Sequence, residues 1–368
     1  MDIPYNSCLM TDLSLLRENV RSIRRTLSPE TEIIPVLKDD AYGLGLVPVA
    51  KALEEENCVR RFAVAHVSEG LLLREVGIRR NILVIGLPLP SQLVPAAEAG
   101  LTLTVGRLGL IPLLKRMERP IRVQLKLDVG LHRIGIRPEE LDDLIRELRD
   151  AGEQVIVEGV FSHFSAAKED GAYRAQYEAF LRGVRYLEDA GVPVPMRHIC
   201  DSAASELFPQ SALDAVSLGR RLYMDHPTMP TGTVREVVTW RAYISDIRER
   251  SAGDALGYGG DYILPKNARI AALSVGYGDG LDPRMGKLRA PVLIGGKRCP
   301  VLAVFMDQAL VDVSDTDCEI GDAVTVFGYD GKGGFLSSQE LALLIGANEG
   351  CGLTAALSSR VKRVYTEG

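Results

Sequence analysis

The sequence predicts an α/β protein in which a (β/α)8 barrel is followed by a β-rich C-terminal domain. Eight strand-like segments rich in Val, Ile and Leu alternate with helix-length segments up to about residue 235. Beyond that point, short strand-like runs are separated by turn residues, with few helices between them. We therefore assign 1–235 to the barrel and 236–368 to the β-rich domain, with the first ten or so residues alternatively joining the second domain.

The barrel elements can be followed in order along the chain. The segment TDLSLLRENVRSIRRTL predicts a first helix, with Thr11 as its N-cap and apolar residues at helical spacing. The strands that follow lack clean alternation, as expected of strands buried on both faces. They are IIPVLK, FAVAH, NILVIG, LTLTV, IRVQLKLD, VIVEGVFSH, RHICD and AVSLG. A doubly wound open sheet is the alternative, but we find no GxGxxG nucleotide turn at the required place.

The second domain is predicted from strand-like runs and turn signals alone. After about residue 235 the helical segments become rare, whereas within the barrel only the link between the seventh and eighth strands is short. Short strand-like runs separated by turn residues, with few helical segments between them, are typical of a β-rich domain. The predicted strands are TWRAYISDI, ARIAALSV, PVLIGG, CPVLAVF, ALVDV, AVTVFG and RVKRVY.

Charge and cysteine content limit the function classes. The net charge of −6 and pI near 5.6 argue against a nucleic-acid or membrane-surface binder, because nothing would neutralise phosphates. The six cysteines are scattered and none has CxxC spacing, which favours reduced thiols over a disulfide framework or a metal site. We see no signal peptide and no transmembrane run, so we expect a cytoplasmic protein, or the cytoplasmic domain of a membrane-anchored one.

Barrel enzymes place their chemistry at the carboxyl ends of the strands. Lys38 ends the first predicted strand, where a desolvated amine can attack an aldehyde, although a lysine snorkelling from the barrel mouth is an equal alternative. Loops after strands seven and eight often bind phosphate. A phosphate pocket together with Lys38 suggests that the protein binds pyridoxal 5′-phosphate (PLP), although an aldolase that forms a Schiff base with its substrate would also fit. The strand ends carry Lys38, Lys126, Asp128, Arg133, His163, Asp201, Ser202, Gly219 and Arg220.

Eight motifs follow one another in order along nearly the whole chain. VLKDDAYGLG at 36–45 and LDVGLHRIG at 127–135 are the first two, and they resemble the PLP-attachment motif and a second segment of the alanine racemase family. The resemblance implies a PLP barrel followed by a β-domain, and a homodimer whose active site is shared between subunits. Further matching segments are GVFSHFSAA, HICDSAAS, GDALGYGGDY, VGYGDG, FMDQALVDV and SRVKRVY.

The resemblance also implies residue roles. Lys38 carries PLP as a Schiff base and exchanges a proton on the D face, while Tyr258 from the second subunit acts on the opposite face. Lys126 corresponds to a family lysine that is often carbamylated and positions Arg133. The other cofactor-binding residues are Tyr42, His163, Ser202, Ser217, Gly219 and Arg220, and the substrate-binding residues are Arg133, Tyr277, Met306, Asp307 and Asn348.

Two positions depart from the family pattern. Where the family has an arginine facing the pyridine nitrogen, this chain has Ser217, which we expect to make one hydrogen bond to that nitrogen unless Arg220 reaches back to it. Where the family has a tyrosine, this chain has Asn348, whose carboxamide would suit a substrate with a β-hydroxyl. In this respect the chain resembles the soluble catalytic domain of the membrane-anchored serine/alanine racemases of vancomycin resistance.

These observations predict a PLP-dependent isomerase that interconverts L- and D-serine, and also alanine, by two-base proton transfer at Cα. The main competing prediction is a strict alanine racemase that supplies D-alanine for cell-wall synthesis. Three more distant ones are a PLP-dependent decarboxylase of the same fold type, a non-catalytic PLP carrier, which would lack the β-domain, and a Schiff-base aldolase, which would not need Tyr258. The predicted partners are small amino acids and a second copy of the chain.

Overall fold

The computed structural model describes residues 5–165, 170–224, 232–260, 262–347 and 349–367, which fall into two compact units. We call Val20–Ala41 together with Leu46–Leu222 the barrel unit, and the rest of the described chain the β-rich unit. Among the helices of these residues, none has both the length and the apolar character needed to cross a membrane. The domain limits of 1–235 and 236–368 stay a prediction.

Eight parallel strands form the wall of the barrel unit. After β1 (Ser7–Asp12), they are β2 (Glu32–Pro35), β3 (Arg61–Val64), β4 (Asn81–Val84), β5 (Thr102–Val105), β6 (Ile121–Lys126), β7 (Val155–Phe161), β8 (Arg197–His198) and β9 (Ala215–Leu218). Strands β3 to β8 form one sheet, and β2 pairs with β9. Bridges between Val36 and Ala63 and between Cys200 and Val216 join the two groups and close the ring. The predicted (β/α)8 barrel is confirmed.

Aliphatic side chains fill the barrel interior, because strands covered on both faces require apolar residues. Full burial of a branched aliphatic side chain contributes about 1.5–3 kcal/mol relative to exposure. Apart from buried polar side chains such as Gln124 in β6, polar groups therefore lie at the strand ends and in the loops. One contiguous buried cluster consists of Ile34, Val36, Ala63, Leu83, Met196 and Ala215.

Helices cover the strands, each burying one apolar stripe. In α7 (Leu141–Ala151), for example, residues 141, 144, 145, 148 and 151 are buried, which is the three-to-four spacing of one helix face. The remaining helices up to residue 223 are α1 (Leu13–Thr26), α2 (Lys38–Tyr42), α3 (Leu46–Glu54), α4 (Val67–Glu75), α5 (Leu93–Glu98), α6 (Ile111–Lys115), α8 (Asp170–Asp189), α9 (Ala204–Leu207) and α10 (Arg220–Tyr223).

The start of the first helix differs from the prediction. Thr11 lies in β1, where it pairs with Val238 and Tyr365 and is held extended. The side chain of Asp12 accepts a hydrogen bond from the Leu15 backbone N–H at 2.8 Å, as an N-cap does. The assignment of Thr11 as the N-cap is therefore wrong, since the next residue supplies the acceptor that reaches the first turn.

The β-rich unit is dominated by one nine-stranded sheet, as predicted for the second domain. Its later elements are β10 (Val238–Arg250), β11 (Ala255–Leu256), β12 (Tyr262–Ile263), β13 (Ala268–Leu273), α11 (Arg284–Leu288), β14 (Pro291–Ile294), β15 (Lys297–Val304), β16 (Ala309–Asp312), β17 (Ala323–Tyr329), β18 (Phe335–Leu336), α12 (Ser338–Leu344), α13 (Gly350–Ala355) and β19 (Lys362–Thr366). The strand order is β18-β17-β14-β15-β16-β13-β10-β1-β19, and β17 also pairs with β10, so six strands close on themselves. β1 thus belongs to this sheet.

Candidate active site

Lys38, the residue predicted to carry the cofactor, lies just past the end of the first barrel strand. β2 ends at Pro35, so this strand is shorter than the segment IIPVLK predicts. Because the eight strands are parallel, their carboxyl ends meet at one mouth of the barrel, and Lys38 lies at that mouth. Side chains at this position are the ones that act in barrel enzymes.

The four residues after Lys38 form a turn of left-handed helix, which the sequence did not predict. Their φ angles lie between 53° and 59°, although none of them is a glycine. Left-handed helix costs an L-residue roughly 1–2 kcal/mol, so neighbouring groups must hold this turn in place. The four residues are Asp39, Asp40, Ala41 and Tyr42.

Two carboxylates fix this left-handed turn. Glu69 in α4 accepts a hydrogen bond from the Asp39 backbone N–H at 2.7 Å and, through its other oxygen, one from Ala65 N–H at 2.8 Å. The Asp40 carboxylate accepts a hydrogen bond from Leu46 N–H at 2.7 Å. These bonds tie α2 to the end of β3 and to the start of α3, which sets the direction in which Lys38 leaves the backbone.

Lys126 is a buried amine at the end of β6. Its side chain is 4% exposed, and its Nζ lies 5.3 Å from the centre of the Phe161 ring. Burial, and then repulsion by Arg133 and Lys38, lower the pKa of Lys126 to about 8. A substantial fraction of the amine is therefore neutral near physiological pH, and a neutral amine is nucleophilic.

Arg133 lies in a loop that Asp128 organises. The Asp128 carboxylate accepts hydrogen bonds from the backbone N–H groups of Gly130 at 3.2 Å and His132 at 3.0 Å. Burial acts to raise the pKa of Asp128, but these bonds more than offset it and leave the pKa below its ordinary value. The loop therefore carries a fixed negative charge at its start, and presents Arg133 exposed to solvent.

His163 joins the same group of charges. Its Nε2 lies 3.6 Å from a carboxylate oxygen of Asp201. Burial, followed by repulsion from Lys126, Arg133 and Lys38, lowers the pKa of His163, against the attraction of Asp201. The structure thus brings Lys38, Lys126, Arg133 and His163 into one electrostatic neighbourhood at the barrel mouth, as the sequence predicted.

The loops after the seventh and eighth strands form a cluster of donors. Backbone N–H groups of Gly219 and Arg221 donate to Ser202 Oγ at 3.1 and 3.3 Å. Beside them, Glu206 lies 3.8 Å from the Arg220 guanidinium and 3.1 Å from that of Arg221. All three charged groups are buried, and within the described residues one Arg220 nitrogen, Nη1, has no hydrogen-bond partner. The Arg220 Nη1 is therefore a buried donor that suits an anion.

Ser217 is held by a histidine that the sequence did not single out. The Ser217 hydroxyl lies 3.0 Å from His198 Nδ1, and His198 Nε2 lies 2.7 Å from the Gln124 carboxamide oxygen. The Phe161 ring stacks on the imidazole with a 5.1 Å separation and a 6° interplanar angle. The Arg220 guanidinium is directed to Glu206.

These residues of the barrel unit fit PLP. The Lys38 amine can condense with an aldehyde, the donors around Ser202 and the unpartnered Arg220 nitrogen suit a phosphate, and Ser217 offers a hydroxyl from the eighth strand. PLP is a flat aromatic aldehyde with a phosphate and a ring nitrogen, and each of these parts has a chemically matched group here.

In the β-rich unit, predicted substrate residues lie on one exposed face. Tyr258 is 85% exposed and packs edge-on against the Phe305 ring at 5.5 Å. Tyr277 N–H donates to the Phe305 carbonyl at 2.8 Å, which joins the two loops. Met306 and Asp307 follow directly and are also exposed. The structure therefore brings these four predicted residues together.

Two predicted residues belong neither to the group at the barrel mouth nor to the exposed face of the β-rich unit. Tyr42 belongs to the β-rich unit, where its ring lies 5.4 Å from that of Tyr223. Asn348 lies outside the described residues.

Sequence reasoning missed four groups that shape the site: Glu69, Gln124, His198 and the Arg221 backbone N–H. His198 stands in the segment HICDSAAS, and that motif was the signal that could have found it. Glu69 and Gln124 lie in an ordinary helix and an ordinary strand, so their roles follow from three-dimensional contacts alone.

Comparison with known protein families gives two matches that together span most of the chain. Residues 11–227 match the family described as "Alanine racemase, N-terminal domain". Residues 237–365 match "Alanine racemase, C-terminal domain".

Individual proteins agree with these matches. The chain is similar to alanine racemase of Desulforamulus reducens, at 34% identity over 96% of this chain and 97% of that protein. It is similar to alanine racemase of Symbiobacterium thermophilum at 36% identity, with 96% and 95% covered. Among solved structures, alanine racemase from Bacillus anthracis with bound L-Ala-P superimposes with a TM-score of 0.91 at 29% identity, covering 100% of this chain and 96% of that one.

Proposed function

This chain belongs to the alanine racemase family of PLP-dependent isomerases, and from that membership we propose that it interconverts L- and D-alanine with Lys38 and Tyr258 as the two proton-transferring groups. The observation that carries the proposal is the position of Lys38 at the barrel mouth, in the charge neighbourhood of Lys126, Arg133 and His163. Racemisation needs one group to remove the Cα proton and another to return it from the opposite face.

The cofactor and the chain have separate tasks. PLP, when bound, withdraws electrons from the substrate Cα and so makes its proton removable. The Lys38 amine attaches PLP and moves a proton on one face, and the Ser202 hydroxyl with the Gly219 and Arg221 N–H groups binds the phosphate. The buried Arg220 Nη1 supports this assignment, because a phosphate oxygen would accept its hydrogen bond. Tyr42 and His163 complete the proposed cofactor site.

The substrate carboxylate is assigned to Arg133 and the Met306 backbone N–H, with Tyr277 at the entrance and Asp307 beside it. Carbamylation of Lys126 is part of the proposal. An amine with a pKa of about 8 is partly neutral, and the neutral amine can add CO2 with release of one proton to solvent. The resulting carbamate would attract Arg133 instead of repelling it.

Tyr258 is proposed to act in the site of a second copy of the chain. Its 85% exposure supports a role across a subunit interface, because a side chain so exposed can reach the active site of a second subunit. The proposed enzyme is therefore a homodimer with shared active sites.

A test of the activity uses the enzyme loaded with PLP. We expect L-alanine to be converted to D-alanine with uptake of solvent deuterium at Cα, measured by chiral chromatography and mass spectrometry. Lys38→Ala should lose the visible absorbance of lysine-bound PLP and lower the rate by about 10²–10⁴-fold or more. Lys115→Ala, an exposed lysine of α6, is the matched control and should retain both. Full racemisation by Lys38→Ala would refute the assignment.

Serine is the second candidate substrate. The resemblance to the serine/alanine racemases of vancomycin resistance would add a role in that resistance and attachment to a membrane through a segment outside this chain. The observation that favours it is Asn348 at a position where the family has tyrosine. The relatives named above are alanine racemases, which favours alanine.

Replacing Asn348 by tyrosine separates the two substrates. If the carboxamide binds a β-hydroxyl, Asn348→Tyr should lower the serine-to-alanine ratio of kcat/KM at least about 10-fold, because the hydroxyl loses its partner. Asn81→Tyr makes the same exchange at the amino end of β4, away from the barrel mouth, and should leave the ratio unchanged. An unchanged ratio in Asn348→Tyr would leave strict alanine racemisation as the function.

A further inference from the structure

Three side chains in the barrel unit form a continuous hydrogen-bonded chain that ends at Ser217. Gln124 and His198 are 0% and 1% exposed, so water does not compete for their hydrogen bonds. Gln124 Oε1 lies 2.7 Å from His198 Nε2, and His198 Nδ1 lies 3.0 Å from Ser217 Oγ. We call these three residues the relay.

The orientation of Gln124 decides where the histidine proton sits. Its amide nitrogen lies 3.8 Å from the Met196 sulfur, which can accept a weak hydrogen bond. The reversed amide would point Oε1 at a sulfur that carries no proton. A carboxamide oxygen only accepts hydrogen bonds, so His198 Nε2 must carry the proton and donate it to Gln124.

His198 has one ring proton, not two. Burial, followed by repulsion from Arg61, lowers the pKa of His198 to about 3, against the attraction of Asp214. With the single proton on Nε2, Nδ1 has a lone pair and can only accept. The Ser217 hydroxyl therefore donates its proton to His198, and the stacked Phe161 ring holds the imidazole in the required plane.

Ser217 is left with lone pairs for any other partner. We propose that Ser217 is a hydrogen-bond acceptor toward the ring nitrogen of PLP and thereby selects the protonated form of that nitrogen; this inference rests on the proposed function. An unprotonated pyridine nitrogen is itself an acceptor, and two facing acceptors leave both groups unpaired, at a cost of about 1–3 kcal/mol each when buried. Protonation of the nitrogen turns that contact into a charge-assisted hydrogen bond.

The relay therefore has the opposite effect to an arginine at this position. An arginine only donates, which keeps the facing nitrogen unprotonated, whereas a serine committed to His198 only accepts. A positively charged ring withdraws electrons more strongly, so Ser217 makes the bound cofactor a stronger electron acceptor. Gln124 and His198 act through Ser217 and are positioning residues.

The histidine tautomer can be measured on the protein with or without cofactor. In ¹⁵N-histidine-labelled protein, we expect the imidazole of His198, one of the five histidines, to show a protonated Nε2 and an unprotonated Nδ1 at neutral pH. The signals that vanish in His198→Gln identify the residue. A protonated Nδ1, or a doubly protonated ring, would overturn the relay.

The ring nitrogen is measured on the holoenzyme made with ¹⁵N-labelled PLP. We expect its ¹⁵N shift in the protonated range, and in Ser217→Ala at the free-base position. Gln124→Leu removes the acceptor of the Nε2 proton, so it should move the His198 proton to Nδ1 and shift the ring nitrogen to the free-base position. Ser211→Ala, which removes a buried hydroxyl outside the relay, should change neither.

The outcomes separate this inference from the proposed function. Bound PLP with a free-base ring nitrogen in the parent protein overturns the inference and leaves the racemase proposal intact. Failure of the protein to bind PLP contradicts the proposed function, and with it the role of Ser217. A protonated nitrogen that persists in both Ser217→Ala and Gln124→Leu overturns the role of the relay, and both variants are read as folded holoenzymes by their circular dichroism.

Discussion

At the scale of single residues, burial decides which groups keep their charge. It lowers the pKa of Lys126 to about 8, so part of this amine is neutral and reactive. It lowers the pKa of His198 to about 3, so this ring carries a single proton, which the contact with Gln124 places on Nε2. Burial also raises the pKa of Glu236 to about 7, although the Ser338 N–H donates to its carboxylate at 3.0 Å. Glu236 belongs to the β-rich unit and takes no part in the proposed reaction. Its titration should therefore be measurable as a pH dependence of the unfolding free energy.

Replacing Glu236 by glutamine should stabilise the protein at neutral pH and above. The folded-state pKa of about 7 lies above the ordinary 4.5, so the folded state holds its proton longer than the unfolded state does. The contribution of Glu236 to stability is therefore fully present below pH 4.5 and is lost as the pH rises through 7, by up to about 3 kcal/mol. Glu236→Gln keeps an acceptor for Ser338 and cannot ionise, so its advantage in unfolding free energy should grow over that range.

Denaturant unfolding at several pH values measures this difference. Asn81→Ala, which removes an exposed side chain that does not ionise, is the control and should show no such growth with pH. A constant difference between Glu236→Gln and the parent from pH 4.5 to above 7 would contradict the prediction.

At the scale of elements, α2 sets the direction of Lys38 by an unusual route. A helix here would ordinarily be right-handed, but Glu69 and Asp40 capture backbone N–H groups that fix the opposite hand. The left-handed conformation costs free energy for every residue that has a Cβ. Substitutions at the exposed Asp39 can therefore measure this cost.

Glycine and alanine at Asp39 should therefore have opposite effects. Asp39→Gly should raise the unfolding free energy by about 0.5–1 kcal/mol, because glycine adopts a positive φ without strain. Asp39→Ala should lower it by a similar amount. In the exposed, right-handed position Ala175 of α8, Ala175→Gly should instead cost about 1 kcal/mol. If Asp39→Gly is less stable than Asp39→Ala, the turn is not left-handed in solution.

At the scale of the whole molecule, the exposed face of the β-rich unit carries large apolar and aromatic side chains. Tyr258 and Met306 are two such side chains, and each is more than half exposed. Such residues are common at subunit interfaces, where their burial supplies affinity. The proposed homodimer would bury this face and bring Tyr258 to the site that contains Lys38 of the other subunit.

Mixing two inactive variants tests the shared site. Lys38→Ala and Tyr258→Ala homodimers should each be inactive, but a mixed dimer has one site with both intact groups. Random exchange makes half of the dimers mixed, each with one working site of two, so about a quarter of parental activity should return. No recovery after verified subunit exchange would place Tyr258 in the site of its own subunit.

Much of the fold and part of the site could be predicted from the sequence. The Val- and Ile-rich segments predicted the eight barrel strands because burial on both faces demands an apolar composition, which is written in the sequence. Lys38, Lys126 and His163 could be placed at one mouth because parallel strands end on one side of a barrel. The Thr11 cap was wrong because strand pairing competed with a local signal.

Lys38 and its strand illustrate what the sequence by itself determined: which segments are strands, and which side chains stand at their carboxyl ends. Only the tertiary structure decided that Asp39–Tyr42 winds left-handed, since no glycine marks the turn and the carboxylate of Glu69 comes from a different helix. It also decided the relay from Gln124 through His198 to Ser217. These residues are far apart in the sequence, and barrel closure alone brings their polar atoms within hydrogen-bonding distance. The direction of each hydrogen bond in the relay then follows from which atoms carry a proton.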